Sequence, residues 1–382
     1  MRIMISTRQG AGHFGPLVPF AKAFLRNNDE ILVTAPANAA MMIAEAGFDH
    51  HVMPDPPQDG RRAKFARARQ LSDDAANAFI AGEVFIRTDA RAAFPHVLAA
   101  IEAAKPDVVV FEASEFAAAL AAEASGVPSV CVGITQAALM HGLRGPVAEA
   151  LDELRAEFGL EPDPDLERLG AVPYMTLIPE ALEDVPSPAT LRFRVEDDEP
   201  RALPDWWKNR SWPLVYLTLG TVAPTQDWFP ALYRDAIDAL SLLPVRVLVT
   251  VGRDRGPRDI GPVGPNVKVR RWFPQSDVLP HADVLVCHGG SGTVTGGLAA
   301  GVPMAVLPLF ADQPHNARRV ADIGAGIALD GTIGLADAVR KLLVEPSYRE
   351  TAQRIAADLR ALPTVDKAAK IVHGIARTPA AY

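Results

Sequence analysis

The chain has 382 residues, 49% of them hydrophobic and 22% charged, with a formal net charge of −8. That length implies two domains, each able to bury a core, and that composition excludes a disordered chain. The acidic balance excludes nucleic-acid binding over a broad basic surface. Cys131 and Cys287 make neither a disulfide framework nor a Cys-x-x-Cys zinc pair. No apolar run approaches the roughly 18 residues of a membrane span, and the opening run is too short for a secretory leader. A cytoplasmic protein with no integral membrane segment is the expectation.

Taken in chain order, Arg2–Thr7 reads as a buried strand and Phe14–Arg26 as a helix, with Leu17, Val18, Phe20, Ala21, Phe24 and Leu25 near 3.6-residue spacing. Glu30–Ala35 is a second apolar strand, followed by a helix over Ala39–Ala46 that stops at Gly47. Asp107–Phe111 is a strand, an alanine-rich helix runs to Ser125-Gly126, and Val127–Gly133 is a further strand. Strands that are apolar throughout and alternate with helices indicate a parallel sheet covered on both faces.

From about Pro186 to Pro213 the pattern breaks. Five prolines, an acidic run at Glu196–Glu199 and the pair Trp206-Trp207 suggest a linker. Strands resume at Leu214–Leu219, Val245–Val251, Val267–Arg271, Val284–Cys287 and Met304–Leu307. The fold class expected is α/β: two Rossmann-like, doubly wound domains facing across a cleft. The boundaries expected are 1–200 for the first domain, 201–213 for the linker and 214–363 for the second. No internal repeat is visible.

The loop Thr7-Arg8-Gln9-Gly10-Ala11-Gly12-His13-Phe14-Gly15-Pro16 admits two readings. Gly10, Gly12 and Gly15 spell Gly-x-Gly-x-x-Gly after a strand, the fingerprint of a dinucleotide site. Yet the glycines lie some residues past the strand, and the second strand ends Thr34-Ala35-Pro36-Ala37-Asn38 with no acid to close it. An NAD(P)-dependent oxidoreductase is therefore the alternative. In the other reading His13 is a general base, since a neutral imidazole can take a proton from an attacking hydroxyl. A carboxylate behind it would set the tautomer. Glu112, at the end of its strand, is the candidate partner, with Glu115 in reserve.

The second half holds a denser set. Val284–Cys287 reads as a strand and Thr293–Ala300 as the start of a helix, which leaves His288–Gly292 as the turn between them. Glycines there let the backbone approach an anion, the helix terminus offers N–H groups, and Ser291 and Thr293 add hydroxyls. The alternative is a tight turn and nothing more. A nucleophile elbow is excluded, because Gly289-Gly290-Ser291-Gly292 is followed by Thr293 and not by glycine. Trp272 could stack on a base with Gln275 on the ribose, or be a core tryptophan. Asp312-Gln313 could bind sugar hydroxyls, weakly favouring a sugar such as glucose, or be a solvated loop. No metal cluster is evident: Asp163-Pro164-Asp165 reads as a turn, and Asp197-Asp198 sits in the linker.

In sequence order these residues suit a base, a diphosphate and a sugar. They resemble the donor-binding signature of glycosyltransferase family 1, of GT-B fold, and in particular the bacterial enzymes that decorate natural products. The resemblance spans nearly the whole chain. It is strongest over Trp272–Asn316 and next strongest over Ser6–Pro19, which resembles the family's acceptor-side histidine loop.

It implies that Trp272, with Phe273 beside it, and Gln275 hold the nucleoside. His288, Gly290, Ser291, Gly292 and Thr293 would hold the diphosphate, with Gly220 and Thr221 close by, and Asp312 and Gln313 the sugar. His13 would be the base. The family usually pairs that histidine with Asp, where this chain has Glu112. A final helix near Val365–Ile375, within about 364–382, would cross back onto the first domain. The chain is short for the family.

The activity implied is metal-independent, inverting transfer of a hexose from a UDP- or TDP-sugar co-substrate, with no cofactor, to a hydroxyl of an apolar small molecule. The acceptor would meet loops near Pro54–Ala81 and Gln136–Val147, where Phe65, Phe79, Phe85, Met140 and His141 are either pocket or plain core. A monomer or weak homodimer is expected, and a catalytically inactive nucleotide-sugar binder is the non-enzyme alternative.

Overall fold

The computed structural model describes residues 1–137, 139, 144–184, 189–196, 204 and 212–377. The chain divides into two compact units. One comprises Met1–Ile178, Val185–Glu196 and Pro363–Tyr382; the other comprises Pro179–Asp184 and Asp197–Leu362. This partition is finer than cuts at 200 and 214, because Pro179–Asp184 belongs with the second unit. Most of the 201–213 stretch, Trp206-Trp207 included, lies outside the described residues, as do Met140 and His141.

The first unit is built on seven parallel strands: β1 (Arg2–Ser6), β2 (Glu30–Pro36), β3 (Asp49–Met53), β4 (Val108–Glu112), β5 (Ser129–Val132), β6 (Tyr174–Thr176) and β7 (Thr190–Arg192). Their order is β3-β2-β1-β4-β5-β6-β7. Every residue of β4 is buried. Alternate side chains go to opposite faces, as a two-residue period requires. Met4, Val109 and Phe111 enter one core, and Ile3, Ile5, Val108 and Val110 enter the other. The helix Val365–Ile375 joins the second of these cores through Val365, Ala368, Ala369 and Val372, a single face at helical spacing. It packs on the helix Val18–Arg26, with Arg26 Nε donating to Asp366 Oδ1 at 2.9 Å.

The second unit has six parallel strands: β8 (Leu214–Thr218), β9 (Arg246–Thr250), β10 (Val267–Arg270), β11 (Val284–Cys287), β12 (Met304–Val306) and β13 (Gly326–Ala328). Their order is β10-β9-β8-β11-β12-β13.

Both orders reverse at one place. In the first sheet β1 lies between β2 and β4, and in the second β8 lies between β9 and β11. At such a switch point the connections leave in opposite directions and open a crevice beyond the carboxyl ends of the two central strands. The loops leaving β1 and β4, and those leaving β8 and β11, are among those singled out from the sequence, while Trp272 and Asp312-Gln313 follow β10 and β12.

Two elements depart from the sequence reading. Phe14–Arg26 is not one helix: Ala11–Phe14 and Val18–Arg26 are separate. Pro16 has no N–H to continue the ladder, and the backbone tightens to Leu17 N–H donating to Phe14 O and Val18 N–H to Gly15 O. Strand β3 went unseen because it is mostly polar and exposed, at a sheet edge, and carries no apolar run. Strands β6, β7 and β13, of three residues each, are too short to carry a period. Among the described residues no helix is long and apolar enough to cross a membrane.

Candidate active site

In the first unit, the loop after β1 turns at Gly10 into the four-residue helix Ala11–Phe14 and carries His13 to the end of β4. His13 Nδ1 lies 3.0 Å from Glu112 Oε1. Glu112 is fully buried and His13 is about a quarter exposed. Ser114, which the sequence reading did not name, completes the arrangement. Its backbone N–H donates to Glu112 Oε2 at 2.7 Å, and its hydroxyl lies 2.9 Å from both carboxylate oxygens.

Burial alone pushes the Glu112 carboxyl up. The opposing pull of His13, the Arg8 charge and the Ser114 N–H outweighs it and holds the group below the ordinary carboxylate range. An ionised Glu112 accepts a hydrogen bond from Nδ1–H, which leaves Nε2 as the unprotonated nitrogen for general-base chemistry.

Glu115 is not the partner of His13. It is buried on the next turn, and Oε1 has no hydrogen-bond partner. Burial, with the Glu112 charge second, lifts it from the ordinary 4.5 to about 8. The folded protein therefore holds this proton across a pH range where the unfolded chain has lost it. Stability from this group is complete below about pH 4.5 and drains away as pH rises through 8. Glu115→Gln mimics the protonated acid and is expected to flatten that loss. Its gain at pH 9 over the native protein is on the order of a few kcal/mol, with little difference at pH 5. Thermal melts of both proteins across that range check it.

In the second unit, the turn after β11 is shorter than the sequence suggested, because the helix begins at Ser291 and runs to Ala299. His288 stands between two glycines. A Cβ on Gly220 would sit 2.6 Å from its Nε2, and one on Gly290 would sit 2.5 Å away. The imidazole Nδ1 is buried without a hydrogen-bond partner. Desolvation drives this histidine down to about 4, against an upward pull from Asp312, so it is neutral at pH 7 and can serve as a hydrogen-bond donor without a formal charge. Thr221 is exposed on the loop after β8. Gln275 Nε2 donates to Thr293 Oγ1 at 3.3 Å, which ties the loop after β10 to the first turn of the helix.

Trp272 is 47% exposed, which excludes the core reading. The Arg253 guanidinium lies over its ring at 4.4 Å. Phe273 is partly buried beside it.

Asp312 and Gln313 are not a solvated loop. Gln313 is buried, and its Oε1 accepts the N–H groups of Leu309 (2.9 Å) and Phe310 (3.2 Å). Asp312 Oδ2 accepts the Ser291 hydroxyl at 2.6 Å. Gln313 thus braces its own loop while Asp312 ties that loop to the β11 turn, with Ser291 directing its hydroxyl inward to Asp312. The residue missed is Asn316, fully buried. Its Nδ2 lies 2.8 Å from Gly289 O, 3.0 Å from Ser291 Oγ and 3.0 Å from Asp312 Oδ2. Its spacing of four after Asp312 on one helix was the available signal. Among the described residues no group of three or more His, Cys, Asp or Glu side chains gathers to hold a metal.

Two doubly wound parallel-sheet units, each with candidate residues beyond a switch point, match the GT-B fold of solved glycosyltransferases. Residues 234–375 match the family described as erythromycin biosynthesis protein CIII-like, C-terminal domain. The elloramycin glycosyltransferase ElmGT of Streptomyces olivaceus is 32% identical over 400 residues, 97% of each chain. Among solved structures, the glycosyltransferase VinC in complex with DTDP superposes with a TM-score of 0.79 at 22% identity, over 98% of this chain and 99% of that one. The spinosyn rhamnosyltransferase SpnG, complexed with spinosyn aglycone, gives 0.81 at 20% identity, over 98% and 100%. The chain belongs to the natural-product glycosyltransferases of family 1.

Proposed function

We propose that the protein moves a hexose from a UDP- or TDP-sugar to a hydroxyl of an apolar small molecule, with inversion and without a metal. The observation that carries this reading is the 3.0 Å contact between His13 Nδ1 and the buried Glu112. In the step proposed, Nε2 of His13 takes the acceptor proton while the acceptor oxygen bonds to the anomeric carbon. The bond from that carbon to the diphosphate oxygen breaks in the same step, and the nucleoside diphosphate carries away the electron pair. Glu112 stabilises the imidazolium that results. A single displacement with one base and no enzyme nucleophile inverts the anomeric centre.

The proposed donor end is the second unit. Trp272 supplies a flat face for the base, as an indole nearly half exposed is able to do. The leading N–H groups of the helix Ser291–Ala299, with Thr293 and His288, offset the charge of the leaving diphosphate. These groups supply the anion stabilisation that a metal would otherwise provide. Asp312 and Gln313 are held by their internal bonds, so the atoms left over meet a sugar in a fixed orientation. The DTDP seen with VinC supports a TDP-linked donor. The aglycone seen with SpnG supports a small-molecule acceptor.

Titration calorimetry with UDP and with TDP is expected to give binding to at least one. Absence of heat with both would sink the reading. A donor panel run against phenolic and polyketide acceptors, read by mass spectrometry, then identifies the sugar and the acceptor. Binding without transfer or donor hydrolysis would favour an inactive nucleotide-sugar binder. A thermal shift with NAD(P) and none with a nucleoside diphosphate would favour the oxidoreductase.

A further inference from the structure

Beside the His13–Glu112 pair lies a buried charge the mechanism above does not use. Arg8, at the start of the same loop, is 8% exposed. Its Nη2 donates to Asp89 Oδ2 at 2.6 Å, and the other oxygen of Asp89 accepts from Arg61 Nη1 at 2.6 Å. The Arg8 guanidinium lies 3.5 Å from the centroid of the Phe85 ring. Phe85 also meets His13, edge to face at 6.1 Å. Phe85 and Asp89 both stand on the π-helical stretch Ile80–Ala90, four residues apart, so one face of one element supplies both the aromatic plate and the carboxylate. The second guanidinium nitrogen, Nη1, is buried without a partner.

We propose that Arg8 is a positioning residue for glycosyl transfer: anchored by Asp89 and stacked on the ring that abuts His13, it holds a fixed positive charge one aromatic ring away from the His13–Glu112 pair. The charged groups acting on Arg8 are Asp89, Glu112, Glu115 and Arg61. Removing a buried Arg is expensive unless its charge partner is satisfied elsewhere. Here Asp89 retains Arg61, so a neutral residue at position 8 leaves no bare carboxylate behind. Without the cation, Glu112 and Glu115 both become easier to protonate, since the Arg8 charge pulls each of them down. A protonated Glu112 no longer sets the His13 tautomer, and the acid limb of the kcat/KM profile moves to higher pH.

This inference rests on His13 being the base, so its test separates the two. Carbon-13 NMR of protein labelled at the glutamate carboxyls, with Glu112→Gln to assign the resonance, follows the Glu112 titration in the absence of substrate. Arg8→Gln removes the charge while Asp89 keeps its bond from Arg61. It is expected to move that titration upward by on the order of half to one pH unit, and Arg8→Lys to restore it. Phe85→Leu leaves every charge in place but strips the plate, and is expected to shift the titration in the same direction as Arg8→Gln. An unmoved Glu112 titration in whichever of these two variants folds overturns the inference. So does an Arg8→Lys protein that shifts as far as Arg8→Gln. If His13→Ala retains transfer, the base assignment falls while the Glu112 result stands. An inactive His13→Ala with an unmoved titration removes Arg8 alone.

Discussion

Replacing His13 by alanine is expected to lower kcat/KM by roughly 10²–10⁴-fold, the usual range for removing a positioned general base. The donor affinity of that variant, measured by calorimetry, is expected to stay near the native value, because His13 belongs to the first unit and the nucleotide is assigned to the second. Glu112→Gln gives a companion result with a different cause. The amide oxygen can still accept the Ser114 N–H, which now bonds Glu112 Oε2 at 2.7 Å. That choice turns the NH₂ toward Nδ1, where the native side chain offers an oxygen at 3.0 Å. An NH₂ there demands a bare Nδ1 and puts the proton on Nε2, the atom that has to be empty to act as a base. A loss of at least about tenfold in kcat is therefore expected even though shape and volume are kept. Native rates in His13→Ala on a true substrate would remove the mechanism.

The second large effect is expected from Gly290→Ala. A methyl there would lie 2.5 Å from His288 Nε2, so the imidazole has to shift to admit it. Overpacking of this kind costs about 1–3 kcal/mol, and it falls on the turn assigned to the diphosphate. Affinity for UDP or TDP is expected to drop by about 10–100-fold, read by calorimetry. Gly220→Ala adds strain, since φ there is +76°. Gly292→Ala is the control: its methyl meets no atom within 4 Å, so melting temperature should not change. A Gly290→Ala protein that binds nucleotide normally would show that His288 does not line the donor site.

The features legible in the amino-acid sequence are those that follow from short-range physics. Apolar strands alternating with helices require a parallel sheet covered on both faces, and the glycine-rich loops after β1 and β11 could be placed at strand ends from their neighbours alone. That is why His13 and Glu112, 99 residues apart, could be paired: strands of one parallel sheet end on one side. The order Trp272, His288–Thr293, Asp312-Gln313 was likewise readable, because it depends on spacing within one segment.

The remaining features came from three-dimensional packing, because they belong to an environment rather than to a residue type. Arg8 and Asp89 are ordinary surface residues in a sequence. Their pairing across 81 positions depends on how the stretch Ile80–Ala90 lies against the β1 loop. Asn316 becomes a tie between two loops only because β11 and β12 are neighbours, and Gln313 turns inward because Leu309 and Phe310 present N–H groups that burial obliges it to satisfy. The neutral state of His288 and the retained proton of Glu115 are set by desolvation, which no window of sequence reports.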